Sequence, residues 1–236
     1  MGQRESITLG EIAVEEKSNE ITAIPMLLDM VEVTGSTVTI DAMGCQKEIA
    51  EKIIASKADY CLALKANHAD LHDDVRFYFE NEKAMASVQN IEQGHGRIEK
   101  REYSLETDIE WLSQKSHWCG LRAIGAVRSE VSEKGEKRTE TRYFITSLTD
   151  IHMFARSVRN HWSIESQLHW QLDVTFGEDK AKARKDNSPL NWNVFRKTAL
   201  PLLRNADIGR KTRIKRKMFI AALDLSALER ILRFDE

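Results

Sequence analysis

Cysteine and proline are scarce in this 236-residue sequence, and no long hydrophobic run is present. The three cysteines, Cys45, Cys61 and Cys119, stand far apart with no CxxC pair, which argues against a disulfide framework or a zinc ribbon and fits a reducing compartment. No apolar stretch approaches the roughly 18 residues of a membrane span. The opening MGQRESITLGEIAVEE lacks the apolar centre of a signal peptide, so the sequence predicts a cytoplasmic protein. With only three prolines and eleven glycines, low-complexity tracts and internal repeats are also missing. What is there is ordinary globular material: 42% hydrophobic residues, in a chain long enough for one large domain or two small ones.

The formal net charge of −2 conceals a strong asymmetry. Residues 180–217 hold 13 Lys+Arg against 2 Asp+Glu, whereas residues 1–179 hold 20 against 31. Such a split suggests an end that binds a polyanion, and Trp192 and Phe195 interleave aromatics with the basic residues, as nucleic-acid-binding segments do. The alternative is a solvated basic helix that binds nothing.

Hydrophobic periodicity orders the chain. Residues 6–14, with apolar side chains at 7, 9, 12 and 14, read as a strand bent at Gly10. A helix capped by Ser18 or Asn19 runs to about Val31, with Pro25 beyond its first turn. The strand 36–41, a helix from 46 to 56 and the strand 60–65 make a βαβ unit, whose two strands should be parallel and buried. After a helix over 70–82 come strand-like runs at 97–105, 121–131 and 138–148, the last two joined through SEKGEK as a hairpin. From Asp150, a plausible N-cap, the chain reads as helical to its end: 151–172, a helix opening at NSPL, one through 210–222 and one at 226–232. The division is then a core over 1–84, a β-rich insertion over 85–148 and a helical part over 149–236.

Two carboxylates stand out. Asp41 ends a parallel strand, where ligands of open α/β sheets bind, although a turn former or helix N-cap would also be an aspartate. Along 154–172 the residues Phe154, Val158, His161, Glu165, Leu168 and Leu172 fall on one helical stripe, apolar at both ends with a histidine and a glutamate at its centre. A core-facing glutamate costs several kcal/mol unless it is paired or bound to a cation. It is either hydrogen-bonded to His161, one turn earlier, or converges with Asp41 on a divalent metal such as Mg²⁺, which takes a few carboxylates, water and phosphates. Paired ions about 4 Å apart serve phosphodiester chemistry. Lys65, at its strand end, could meet a phosphate. His68 and His72 have zinc-ligand spacing, but Ala69 stands where a metalloprotease motif needs its glutamate. Glu178 and Asp179 could be spare ligands or a polar loop.

The segments EKSNEITAIPMLLDMVEVTGSTVTIDAMGCQKEIAEKII, YCLALKANH and NHWSIESQLHWQLDVTFGEDKAK resemble the H-repeat-associated proteins, insertion-sequence transposases of the ISAs type in the DDE superfamily. The resemblance implies a ribonuclease-H-like α/β fold with strand order 3-2-1-4-5. It also implies a β-rich insertion before the helix bearing the glutamate, a Mg²⁺ or Mn²⁺ two-metal site, and action on transposon terminal repeats and target DNA as a homo-oligomer. By motif, Asp41 in TIDAMGC is the second aspartate of the Asp-Asp-Glu triad and Glu165 in HWSIES the glutamate, with His161 and Lys65 in support. The Tyr, Arg and Lys that related transposases place around the glutamate align with Val158, His161 and Leu172, so His161 takes the polar role. The DNA contacts expected from the basic segment are Lys180, Lys182, Arg184, Lys185, Arg196, Lys197, Arg210, Lys211 and Arg213. The strand bearing the first aspartate is not found before EKSNEI, and residues 6–14 match the third strand. The expectation is a truncated transposase unable to complete transposition alone, the alternative being a DNA-binding remnant or decayed gene product.

Overall fold

The computed structural model describes residues 7–12, 20–94, 96–164, 168–183, 185–209 and 211–232. They fall into two compact units, one over Val14–His161 and one combining Met1–Ala13 with Trp162–Glu236.

The first unit is built on a six-stranded sheet in the order β1-β2-β6-β5-β4-β3. The βαβ unit forms as the sequence predicts. β1 (Thr37–Ile40), α2 (Lys47–Ala55) and β2 (Asp59–Leu64) follow α1 (Glu20–Met30), and β1 pairs β2 in parallel, Ile40 opposite Leu62. Beyond α3 (Ala69–Asn81) the remaining strands are β3 (Ala86–Gly94), β4 (Arg97–Glu106), β5 (Ala123–Glu133) and β6 (Glu136–Thr146), a meander of antiparallel pairs. β6 turns back against β2, so the strands of 85–148 continue the same sheet. Buried side-chain bonds finish that seam: Thr146 Oγ1 donates to the Tyr60 carbonyl at 2.6 Å, and the Tyr60 N–H donates to Ser147 Oγ at 2.9 Å. The β5–β6 hairpin closes on Lys134 and Gly135, both with positive φ (51° and 87°), the backbone a two-residue turn of this twist requires.

Strand alternation divides the core between two faces. On one, Tyr60, Leu62, Leu64, Ile124, Tyr143 and Ile145 pack with Ile49 and Ile53 of α2 and Leu71 and Val75 of α3. On the other, Cys61, Tyr103, Leu105, Val127 and Phe144 pack with Phe154 and Val158 of α4 (Ile151–Ile164). Asp150 caps α4 as expected, its Oδ1 accepting the Met153 N–H at 2.7 Å. A bidentate pair from Arg159 to Glu92 (3.1 and 3.0 Å) fastens α4 to β3.

The second unit is helical: α5 (Ser188–Asn205), α6 (Ile214–Leu223) and α7 (Leu225–Leu232) surround a small core of Leu203, Ile208 and Ile231. Lys217 is buried there and donates from Nζ to the carbonyls of Arg204 (3.2 Å) and Ala206 (2.6 Å), capping the C-terminus of α5.

Three sequence expectations need correction. Residues 7–12 form no strand, and Ile7 and Leu9 are 54% and 74% exposed; the rest of 6–14 lies outside the described residues apart from these. Apolar alternation marks a strand only where a neighbour accepts its hydrogen bonds, and these residues have none in the sheet. Of the helix expected over 151–172, Ile151–Ile164 is α-helical, 165–167 lie outside the described residues, and 168–172 are helical but largely π-helical, with the Phe176 N–H reaching back to the Gln171 carbonyl at 3.1 Å at the end of the π-helical Gln171–Thr175. The strand β3 was not expected from ASVQNIEQG; as an edge strand paired only with β4, it has little apolar pattern to show.

Candidate active site at the ends of β1 and β2

β1 and β2 end side by side, and their alternation decides which side chains share a face. Cys61 and Ala63 of β2 lie on the α4 side, and Thr39 is the register partner of Cys61. Continued by one position past each strand, the same alternation brings Asp41 and Lys65 to the α4 side. The last turn of α4 comes down on this face: Thr39 Oγ1 and His161 Nδ1 share a hydrogen bond of 3.1 Å. A strand-end carboxylate, a strand-end ammonium and an imidazole are thus gathered at one end of one sheet face.

The Asp41 carboxylate is exposed and lightly engaged: its Oδ1 accepts the Gly44 N–H at 3.3 Å. Lys65 is exposed as well. Of the bland alternatives for Asp41, the helix cap does not form, since the cap residue of α2 is Gln46, whereas the turn-former role is met by the Gly44 N–H that Asp41 accepts. The thiols nearby are not nucleophiles. Burial pushes Cys45 up to about 12, and burial with the neighbouring Cys45 pushes Cys61 up further, so both stay neutral and inert.

Glu165 lies outside the described residues, as do Arg184 and Arg210. Among the described residues no three His, Cys, Asp or Glu side chains converge on a metal position. The donor chemistry nevertheless suits a hard cation: Asp41 offers an exposed carboxylate with one long backbone contact, and hard divalent ions take carboxylate oxygens. Among the described residues, Asp41 is the one of the two expected carboxylates whose surroundings can be tested against such an ion. Asp29, the only aspartate preceding Asp41, is on α1 and pairs with Lys52, so it ends no strand.

The two histidines with zinc spacing are otherwise employed. His68 Nε2 bonds the Cys45 carbonyl at 2.6 Å, and His72 Nδ1 is 3.5 Å from Asp73. Thr39 and Asn67 were not among the expected site residues, and His68 was weighed only for its zinc-ligand spacing; the signal for the last two was a polar ANH following directly on a buried strand.

In the helical unit, Lys180, Lys182, Lys185, Lys211 and Arg213 are exposed, and so are Lys215 and Arg216, which the charge count included without naming. Arg196 and Lys197 differ: they are 14% and 18% exposed, Lys197 pairing with Glu11 at 3.2 Å and Arg196 lying 3.8 Å from Glu178 and 5.8 Å from the Trp192 ring. Glu178 also accepts from Asn193 at 2.8 Å, which uses it as a structural acceptor. Trp192 and Phe195 are 52% and 68% exposed on α5.

The six-stranded mixed sheet, its helices and the carboxylate at the end of a parallel strand define an α/β domain. The order 3-2-1-4-5 is not seen among the described strands, of which only β1 and β2 are parallel, and the ribonuclease-H-like fold follows from the family. Comparison with known proteins then fixes the family. A family described as "Transposase DDE domain" matches residues 4–201. The "H repeat-associated putative transposase YhhI" of Escherichia coli (strain K12) is 37% identical over 237 aligned positions, covering 96% of this chain and 62% of that protein. The "Putative transposase YncI" of Escherichia coli O157:H7 is 40% identical over the same length, covering 96% of this chain and 60% of the other. The chain belongs to the DDE transposase family, a family that depends in general on divalent metal, and it spans about three-fifths of the length of these relatives.

Proposed function

We propose that this chain carries two carboxylates of a metal-dependent DNA strand-cleavage and strand-transfer site, Asp41 and Glu165, together with a basic surface for DNA, and that it works in the cytoplasm. The observation that supports the reading best is the Thr39–His161 hydrogen bond, which docks the turn of α4 four residues before Glu165 onto the face where β1 delivers Asp41. On this reading the glutamate sits mid-stripe because its side of the helix serves the site rather than the core. Magnesium or manganese bound by these carboxylates would supply Lewis-acid stabilisation of the leaving oxygen and a more acidic nucleophile. Asp41 and Glu165 hold that charge, His161 orients the helix through Thr39, and Lys65 meets a phosphate oxygen of the substrate.

The DNA substrates are terminal repeats and target DNA, held by Lys180, Lys182, Lys185, Lys211 and Arg213, with Arg184 and Arg210 expected beside them. On this reading Asp29, which lies on α1 and ends no strand, is not the triad's first aspartate. By themselves these 236 residues bind DNA without completing cleavage. Duplex binding titrated in rising salt tests the reading. Wild type should show a steep log-log slope, reduced by about 0.9 for each of Lys182→Ala, Lys185→Ala and Lys211→Ala, and Asp41→Ala should leave it unchanged. Absence of binding at low salt would sink the DNA reading.

A further inference from the structure

We infer that Asn67 and His68, on the turn after β2, are positioning residues that fix the loop carrying Asp41. The loop Asp41–Cys45 leaves β1 with few bonds of its own: the Cys45 N–H reaches the Ala42 carbonyl at 3.3 Å and the Gly44 N–H reaches Asp41 Oδ1 at the same distance. Gln46 holds its middle, Nε2 donating to the Met43 carbonyl at 3.2 Å and its N–H to the Gly44 carbonyl at 3.0 Å, and two side chains from the neighbouring strand end hold the carbonyls on either side. Asn67 Nδ2 donates to the Ala42 carbonyl at 2.8 Å, and His68 Nε2 meets the Cys45 carbonyl at 2.6 Å. A carbonyl can only accept, so Nε2 carries the proton, which fixes the His68 tautomer whenever the ring is neutral. Trp118 holds the imidazole edge-on, ring centroids 5.2 Å apart.

The packing beneath the loop leaves it one way to sit. A Cβ on Gly44 would come within 2.3 Å of Ile40 Cγ2 and 2.9 Å of Ile24 Cδ1, so Gly44 lies pressed on the core while Asn67 and His68 hold the carbonyls on either side of it. Among the described residues, the Gly44 N–H is the group that orients the Asp41 carboxylate. The side chains of Asn67 and His68 therefore act on Asp41 through the backbone, without touching metal or DNA. Residues supporting metal ligands in this way typically govern affinity 10- to 100-fold.

This inference rests on the reading of Asp41 as a metal ligand, and the experiment separates the two. Mn²⁺ binding to the 236-residue chain is measured by electron paramagnetic resonance, alongside amide exchange at Gly44 and Cys45 and the melting temperature. Asn67→Ala and His68→Ala should each weaken Mn²⁺ binding about 10- to 100-fold. They should also speed exchange at the two amides on the order of fivefold, the loss of one hydrogen bond. His68→Gln keeps an N–H near the Nε2 position and should restore both readouts, which a merely structural role for the ring would not predict. Should either alanine variant melt early, His68→Gln decides: failure to restore affinity overturns the inference. Unchanged binding and exchange in both alanine variants, with binding lost in Asp41→Asn, overturns the bracing role alone. Mn²⁺ affinity indifferent to Asp41→Asn overturns the metal reading and this inference with it.

Discussion

Gly125 offers a direct test of how α4 is placed over the sheet. It lies mid-strand in β5 between Leu105 and Phe144, and the ring of Phe154 fills the notch its missing side chain leaves. A Cβ built there would lie 2.4 Å from Phe154 Cζ and 2.7 Å from Cε2. Gly125 has no positive φ, so Gly125→Ala strains no backbone and gains about 0.4–1 kcal/mol from the less flexible unfolded chain. Against this stands an overlap with a fully buried ring that Phe144 already meets edge-on at 5.7 Å. Overpacking of this kind costs about 1–3 kcal/mol, so the overlap wins and the net loss should be about 1–2 kcal/mol. Urea unfolding followed by tryptophan fluorescence measures it. Phe154→Leu in the same background removes the clash, so the double mutant should be more stable than the two single effects added, with a coupling of at least about 0.5 kcal/mol. An alanine variant as stable as wild type, or strictly additive effects, would refute the claim that Phe154 seats α4 on Gly125.

Other expectations follow from the polar interior. Burial raises the Glu106 carboxyl, but the Tyr78 hydroxyl and the N–H groups of Asp108 and Met85, donating at 2.6, 2.7 and 3.0 Å, together hold it below the usual carboxylate range. Its contribution is therefore complete above the unfolded carboxylate pKa and lost as pH falls through the depressed folded value. Glu106→Gln should cost about 1–3 kcal/mol at pH 7 in urea unfolding, with the gap to wild type narrowing in acid. Lys217→Met should destabilise the helical unit by a similar 1–3 kcal/mol or so, because two carbonyls at the end of α5 lose their buried donor; hydrogen exchange along α5 should accelerate while that of the sheet does not. Thr39→Val keeps the shape of β1 but breaks the bond to His161 and should move the His161 ring nitrogen resonances in NMR; unmoved resonances would show that the contact does not form in solution.

How much of this was legible in the sequence depended on whether a residue's neighbours were local. The βαβ unit could be read because two buried strands and the helix between them each carry their own periodicity, and the α4 stripe because Phe154 and Val158 repeat at helical spacing. The strand at 6–14 failed for the opposite reason: alternation is a property of the segment, whereas strand formation depends on a partner elsewhere. β3 fails in the other direction, since an exposed edge strand is held by the β4 ladder and its sequence need not alternate. Within the site, Asp41 announced itself by ending a strand, but Thr39 and Asn67 could not, because each acquires its role from a partner 122 or 25 positions away. The charge surplus of 180–217 was visible, while the division between exposed lysines and the covered Arg196 and Lys197 was not, since it turns on Glu178 and on Glu11 far away in sequence.

The same contrast between local and distant partners marks α4, which carries a histidine bonded to β1 where a core helix would carry leucine. Toward its start α4 is fixed by apolar packing, with Phe154 over Gly125 and Val158 beside it, and by the Arg159–Glu92 pair at the flank. Burial of that kind is non-directional and can hold a helix on a sheet without fixing its last turn. The Thr39–His161 bond is directional, and it falls where the stripe gives way to Glu165. A leucine at 161 would bury more apolar area, but it would leave the turn free to roll against β1. A polar contact there exchanges some stability for a defined orientation of the last turn of α4 against β1.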